Sequence, residues 1–120
     1  MIKSYKELVV WQKSMALVTA VYQISSKFPQ SELFGITNQM RRSAISIPSN
    51  IAEGFGRNSS QDYLRFLYIA RGSLYEMETQ IQIAVSLGFT THHAEIINMI
   101  DEVGKMLNAT ITKIKDKIRS

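Results

Sequence analysis

Residues 39–57 read QMRRSAISIPSNIAEGFGR, and this stretch is the strongest indication of the fold. Its apolar residues recur at steps of four, three, four and four, at Met40, Ala44, Ile47, Ile51 and Phe55. Residues three and four apart lie on the same face of a helix, so this spacing predicts a helix with one buried face.

Pro48 lies inside this periodic pattern. Proline has no amide hydrogen and its ring crowds the carbonyl of Ala44, so we predict a kink in the helix at this position. Gly54 and Gly56 follow, and glycine readily adopts the left-handed geometry that ends many helices. The stretch therefore predicts a kinked, half-buried helix near residues 37–56.

Three other segments carry helical apolar rows, near residues 5–27, 60–87 and 91–117. The first is apolar over a wider face than one bundle core needs, and it ends before Pro29. The second repeats apolar residues at alternating steps of four and three, the heptad pattern of left-handed helix packing. Gly72 lies within it at a cost of about 1 kcal/mol relative to alanine, so we predict that it permits a close neighbour.

No sustained two-residue alternation and no hairpin turn competes with these helices. The sequence therefore predicts an all-α fold in a single domain spanning residues 1–120. The expected architecture is an up-down-up-down antiparallel four-helix bundle with a Pro-kinked second helix.

The composition is that of an ordinary globular chain: 120 residues, 45% hydrophobic and 20% charged. With no cysteine, disulfides and thiolate metal sites are excluded. No apolar run approaches the ~20 residues of a membrane helix, and the run at residues 8–11 is too short for a signal peptide. We therefore expect a cytoplasmic protein that does not contact membranes. Its net charge of +4 is a mild basic bias that raises the question of nucleic-acid binding.

Several short motifs resemble one protein family. They are Phe28-Pro29, Gly35, Gln39 with Arg41-Arg42, Ser46-Ile47-Pro48, Asn50-Ile51-Ala52-Glu53-Gly54, and Ala70 with Gly72-Ser73-Leu74 and Glu76. Together they resemble the four-helix-bundle proteins encoded within intervening sequences of bacterial 23S ribosomal RNA genes. The resemblance runs from about residue 8 to residue 107.

The resemblance implies a compact helical bundle that associates into a homopentameric ring, and no member of this kind is an established enzyme. We expect no cofactor. A related branch, the accessory proteins of diversity-generating retroelements, forms a basic pentameric barrel that engages a reverse transcriptase and nucleic acid. The residues that carry the structural motif in this chain are Pro48, Asn50, Glu53, Gly54 and Gly72.

Basic residues are the candidates for nucleic-acid contact, because Arg and Lys neutralise phosphates. The candidates are Arg41, Arg42, Arg57, Lys113, Lys115, Lys117 and Arg119. Two structural alternatives stay open. The arginine pair can instead form ion pairs with Glu53, Glu76 or Glu78, within the bundle or across a subunit contact. The terminal cations can simply border a buried isoleucine row.

Polar residues elsewhere do not indicate catalysis or metal binding. Asn50 is expected to satisfy backbone groups near Pro48, and Glu53 to pair with an arginine. His92, His93 and Glu95 place only two potential ligands on one helix face, fewer than the three protein ligands of a catalytic zinc site. No nucleophile–base pair and no phosphate loop indicates an enzyme.

The sequence therefore favours a non-enzymatic, homo-oligomeric bundle protein associated with RNA or DNA through a basic surface. The alternative is a protein-interaction scaffold, with an unidentified protein partner and no nucleic-acid binding.

Overall fold

The computed structural model describes residues 1–91 and 93–120, and this part of the chain contains helices and no strands. The four long helices are α1 (Val9–Ser25), α2 (Asn38–Phe55), α3 (Ser60–Ser86) and α4 (Ala94–Arg119). A 3-10 turn at Tyr5–Glu7 precedes α1, and two further turns, Gln30–Glu32 and Leu33–Thr37, connect α1 to α2. The predicted all-α fold is confirmed, with each helix within a few residues of its expected position.

Neighbouring helices run antiparallel, as side-chain contacts between them show. The contacts are Arg41 Nε to Ser25 Oγ at 2.9 Å, Ser46 Oγ to Ser73 Oγ at 2.8 Å, Arg71 Nη1 to Asn108 Oδ1 at 3.0 Å, and Lys13 Nζ to Glu102 Oε1 at 3.4 Å. Along α2, Ser43 contacts Glu76, Ser46 contacts Ser73 and Gly54 lies against Phe66, so rising positions in α2 meet falling positions in α3. The up-down-up-down order follows, with α1 against α2 and α4, and α3 against the same two helices.

One hydrophobic core runs through the bundle, and every long helix contributes to it. From α2, the side chains of Met40, Ala44, Ile47 and Ile51 are completely buried, as the apolar spacing predicts. Phe55, at the end of that row, is half-buried. Each fully buried large aliphatic side chain contributes about 1.5–3 kcal/mol, so these rows supply most of the stability of the fold.

Helix α2 continues through Pro48, whose side chain is buried. The kink at this residue stays a prediction. The expectation of left-handed glycines at the end of α2 is wrong, because Gly54 lies within the helix and Gly56 has a right-handed φ of −79°. Backbone N–H groups close the end instead: Gly56 donates to the carbonyl of Ala52 and Arg57 to that of Gly54. In the described part of the chain the left-handed glycine is Gly88, with φ of 76°, just after α3.

The two glycines of the sequence motif have different surroundings. A Cβ added at Gly54 would lie 2.8 Å from Phe66 Cβ and 2.9 Å from Tyr63 Cδ1, so α2 and α3 approach closely there. Apart from its chain neighbours and the adjoining helix backbone, a Cβ added at Gly72 would meet no heavy atom of the described chain within 4 Å. The prediction that Gly72 permits a close neighbour is therefore wrong within a single chain, since it lies on the outer side of α3.

Candidate nucleic-acid interface

The antiparallel order brings the start of the chain, the α2–α3 turn and the last turns of α4 to one end of the bundle, which we call the basic end. Its cations are Lys3, Lys6, Arg57, Arg65, Lys113, Lys115, Lys117 and Arg119. Its carboxylates are Glu7, Glu53, Asp62 and Asp116. The rest of the chain carries six cations and six carboxylates. The formal excess of +4 therefore lies entirely at the basic end.

Six cations of this end form no ion pair with any described residue: Lys3, Lys6 and the four terminal cations of α4. Among the described residues, none of Lys113, Lys115, Lys117 and Arg119 lies within 4.0 Å of a carboxylate oxygen. They flank an isoleucine row in which Ile111 is buried and Ile114 is half-buried. The structure thus has them bordering the apolar row, as one alternative predicted, and this position leaves their charged groups accessible to phosphate.

Arg57 is at the same end, but its charge is compensated. Its Nη2 lies 3.0 Å from Glu53 Oε1 and its Nε lies 3.7 Å from Asp62 Oδ2. Arg65 also pairs with Asp62, at 2.9 Å. The expected pairing of Glu53 with an arginine is found here, so the two arginines and two carboxylates form a neutral cluster.

Phe66 is an aromatic contact of this cluster. The guanidinium carbons of Arg57 and Arg65 lie 4.8 and 4.4 Å from the centroid of its ring. Phe66 is buried, and the neighbouring Tyr63 is half-buried, which raises the pKa of its phenol. The arginines therefore pack over an aromatic part of the bundle. The sequence showed that Phe66 lies next to Arg65, but not that Arg57 approaches the same ring across the turn.

Arg41 and Arg42 lie near the opposite end of the bundle, in the first turns of α2. Arg41 donates through Nε to Ser25 Oγ at 2.9 Å, and its guanidinium carbon lies 4.5 Å from the centroid of the Tyr22 ring. Neither arginine pairs with a described carboxylate, so the alternative of ion pairs with Glu53, Glu76 or Glu78 is wrong within one chain, and pairing across a subunit contact stays a prediction. The guanidinium of Arg41 instead links α2 to α1 through its contacts with Ser25 and Tyr22.

Arg42 is exposed and lines a polar recess of about 240 Å³ between α2 and α3. The recess is also lined by Gln39, Ser43, Ser46, Ser73 and Glu76. Ser43 Oγ lies 2.9 Å from Glu76 Oε1, so a carboxylate is present beside the arginine. The seven sequence candidates therefore do not form one site: five lie at the basic end and two lie near the other end.

Asn50 has a structural position. Its Nδ2 donates to the carbonyl oxygen of Ser46 at 2.8 Å and to Ser46 Oγ at 2.9 Å, and Ser46 Oγ contacts Ser73 Oγ. The carbonyl that Pro48 deprives of its usual donor is that of Ala44. The amide of Asn50 thus stays within α2 and supports its contact with α3, rather than satisfying the group freed by proline.

The histidines provide no metal set in the described chain, where no group of three or more His, Asp or Glu side chains converges. His92 lies outside the described residues. His93 precedes α4, and its buried Nδ1 has no hydrogen-bond partner among the described atoms.

A second surface, which we call the α1–α2 groove, is apolar. It has a volume of about 320 Å³ and is lined by Tyr5, Trp11, Met15, Val18, Ile45, Pro48, Ser49 and Ala52. No charged side chain lines it, and the rings of Tyr5 and Trp11 pack edge to face with centroids 5.3 Å apart. The wide apolar face predicted for the first helix is thus partly open to solvent.

Fold and charge define the class of protein: an all-α, antiparallel four-helix bundle with its excess positive charge at one end. The sequence model of the family described as 23S rRNA-intervening sequence protein matches residues 6–109. The chain belongs to this family, which confirms the resemblance seen in its motifs.

A solved structure has the same fold. A protein of unknown function from the S23 ribosomal protein family of Bacteroides thetaiotaomicron is 25% identical and superposes with a TM-score of 0.80. The alignment covers 87% of this chain and 96% of that protein. Among curated proteins, no relative is found. In the described part of this chain, no helix is both long enough and apolar enough to cross a membrane.

Proposed function

We propose that this chain is a non-enzymatic, self-associating bundle protein that binds RNA or DNA through phosphate contacts at its basic end. The observation that carries the proposal is the location of the whole +4 excess at that end. Six of the cations there, Lys3, Lys6 and the four terminal cations of α4, have no carboxylate partner among the described residues. A concentrated patch of this kind attracts a polyanion far more strongly than the same charge spread over the surface.

Phosphate contact explains what kind of binding to expect. Each Lys or Arg that neutralises a phosphate releases condensed counterions, so affinity falls steeply as salt concentration rises. Lysine side chains at a helix end contact the phosphate backbone of a nucleic acid rather than the edges of its bases, so we expect little sequence preference. We therefore expect modest, salt-sensitive binding to structured RNA or DNA.

Self-association is the second part of the proposal, and the α1–α2 groove supports it. Exposed apolar patches are uncommon on monomeric proteins and usually mark contact surfaces. The assembly we propose is a homopentameric ring, the closed cyclic form implied by the sequence resemblance. A ring repeats the basic end five times, so weak single-chain contacts act as linked binding events on one nucleic acid.

Paired charge removal tests the nucleic-acid contact. The variant Lys113→Gln/Lys117→Gln removes two charges at the basic end. The control Lys27→Gln/Lys105→Gln removes two exposed charges elsewhere. Binding to a labelled structured RNA is measured by mobility shift across a salt series. We expect the first variant to weaken binding and reduce the salt slope by about 1–2, and the control to change both much less.

Equal weakening by both variants would show that net charge acts, rather than the basic end. A wild-type protein that associates but binds no RNA or DNA at low salt would favour the second candidate function, a protein-interaction scaffold. The uncharged α1–α2 groove is the observation that favours this candidate, because it offers an apolar surface to another protein.

A further inference from the structure

A cavity lies at the end of the bundle opposite the basic end, and we call it the distal cavity. It opens between the last turns of α1, the connection from α3 to α4 and the first turns of α4. Its volume is about 430 Å³, larger than that of the recess beside Arg42 or of the α1–α2 groove. Cavities of this size are typical of sites that bind small organic molecules.

The floor of the distal cavity is apolar. Ala20 and Ile24 come from α1, and Ile96 and Met99 come from α4. Ile96 is only 4% exposed, and the other three side chains are half-buried. An apolar ligand group placed on this floor leaves water together with the side chains that it covers, which favours binding.

The wall formed by the α3–α4 connection is held in place by the chain itself. Gly88, with φ of 76°, follows α3 and donates its amide hydrogen to the carbonyl of Val85. The amide of Phe89 donates to the carbonyl of Ala84, which completes a Schellman motif. The ring of Phe89 packs against that of Phe28, with centroids 5.8 Å apart. This wall is therefore formed without a ligand, which lowers the entropic cost of binding.

Two side chains of opposite charge also line the distal cavity: Lys27, just after α1, and Glu95, in the first turn of α4. Both are exposed, and neither lies within 4.0 Å of an opposite charge in the described chain. Their charges are therefore available to a ligand. The other polar lining residues, Gln23, Thr90 and Thr91, are neutral and offer hydrogen-bond donors and acceptors.

This combination of groups favours a ligand that carries both charges and an apolar part. A simple anion would pair with Lys27 but be repelled by Glu95, and a simple cation would meet the reverse. An uncharged apolar molecule would cover both charged groups without pairing either, which costs desolvation free energy. A zwitterion pairs with both groups through charge-assisted hydrogen bonds and places its apolar part on the floor.

We propose that the distal cavity binds a small zwitterion with an apolar side chain, as in an aliphatic α-amino acid. Lys27 pairs with the ligand carboxylate and Glu95 with its ammonium group. The ligand side chain packs on Ile24, Ile96 and Met99. This site is separate from the basic end and depends neither on nucleic-acid binding nor on self-association. Because both charged partners are exposed, we expect dissociation constants in the millimolar range.

Methyl NMR of the full chain tests the proposal, because isoleucine and methionine methyl signals report where a ligand binds. The probes are L-leucine, isocaproate, which lacks the ammonium group, and isoamylamine, which lacks the carboxylate. L-leucine is expected to shift the signals of Ile96 and Met99 saturably, and to leave that of Ile111, toward the basic end, unchanged. Each analogue is expected to bind about three- to tenfold more weakly than L-leucine.

Charge variants test the two pairs separately. Glu95→Gln should weaken L-leucine binding about three- to tenfold without weakening that of isocaproate, which has no ammonium group. Lys27→Gln should weaken binding of L-leucine and isocaproate but not that of isoamylamine. Asp101→Asn and Lys105→Gln, at exposed positions of α4 outside the cavity lining, are the matched controls and should leave all three affinities unchanged.

A steric variant tests the floor. Ala20→Leu places extra carbon atoms in the cavity and should abolish the shifts of Ile96 and Met99. Ala16→Leu, one turn earlier in α1 and exposed, should retain them. Circular dichroism checks that both variants keep their helices.

Several results would overturn the proposal. Equal binding of the three probes would show a cavity that takes apolar groups without discriminating charge. L-leucine shifts that spare Ile96 and Met99 would place the ligand elsewhere. The absence of a saturable shift with L-leucine at millimolar concentration would show that the cavity does not bind this class of ligand. None of these results bears on RNA or DNA binding at the basic end, which the mobility-shift experiment tests.

Discussion

Gly54 and Gly72 are both glycines inside long helices of one bundle, yet they differ in what surrounds them. At Gly54 the neighbouring helix fills the space that a methyl group would need, and at Gly72 that space is empty. Both positions carry the same cost in helix propensity, about 1 kcal/mol relative to alanine. At Gly54 the packing of α2 on α3 offsets this propensity cost within the chain. At Gly72 no contact in the described chain offsets it. The difference teaches that a costly helical glycine can indicate either an internal or an external contact.

The largest effect is expected for Gly54→Ala. The added methyl group would lie 2.8 Å from Phe66 Cβ and 3.2 Å from the carbonyl oxygen of Tyr63, so the two helices must separate. Overpacking of this kind costs about 1–3 kcal/mol. Urea denaturation of this variant and of the wild type measures the loss. An unchanged free energy of unfolding would show that the packing of α2 on α3 does not require glycine at position 54.

Asn50→Ala tests whether hydrogen bonds near Gly54 hold the same helix contact. The variant loses the bonds from the Asn50 amide to Ser46, and we expect a loss of about 0.5–1.5 kcal/mol in the free energy of unfolding. Ser49→Ala, at the exposed neighbouring position, is the control and should change stability little. Equal effects of the two substitutions would mean that the hydrogen bonds of Asn50 add nothing to the contact.

Gly72→Ala should act in the opposite direction on a single chain. With open space for the methyl group, helix propensity favours alanine by up to about 1 kcal/mol. Thermal unfolding is measured at a dilution where light scattering gives the mass of one chain. Gly104→Ala is the control, since its Cβ would meet Leu74 Cδ2 at an ordinary 3.5 Å. A destabilised Gly72→Ala monomer would show that the position is not open.

The smallest effect is expected for Arg57→Gln, one turn beyond Gly54. The variant loses ion pairs with Glu53 and Asp62, but the arginine side chain is 42% exposed. Exposed ion pairs contribute about 0–1 kcal/mol and weaken in salt. Denaturation at low and high salt should show a small loss at low salt that shrinks as salt is added. A loss as large as that of Gly54→Ala would show that the ion pairs, and not close packing, hold the α2–α3 contact.

Local periodicity predicted the helices well, because burial of an apolar row is decided by spacing along the chain. The row from Met40 to Ile51 is buried as its spacing requires. Residues 30–37 were predicted as a connector with a short turn that Gly35 interrupts. The backbone geometry there, with Gly35 at φ of −105° and ψ of −119°, was not predicted, because no local pattern specifies it.

The candidate site was predicted less well, because contacts between helices depend on topology. The sequence showed that Arg41 and Arg57 are basic, but not that Arg41 reaches Ser25 or that Arg57 lies between two carboxylates. The concentration of positive charge at one end of the bundle could have been predicted from the sequence. Applying the predicted up-down-up-down order to the positions of Arg57 and Lys113 already places them at the same end.

The close contact at Gly54 also has a consequence for the order of folding. Helices α2 and α3 are joined by only four residues, 56–59, so little chain entropy is lost when they meet. On the two sides of this turn, the rings of Phe55 and Tyr63 pack edge to face with centroids 6.2 Å apart. Contacts between residues that are near in sequence form early in folding, whereas a contact between α1 and α4 must close a loop that spans most of the chain. We therefore expect the α2–α3 hairpin to form first, with its amide protons protected before those of α1 in pulse-labelling hydrogen exchange.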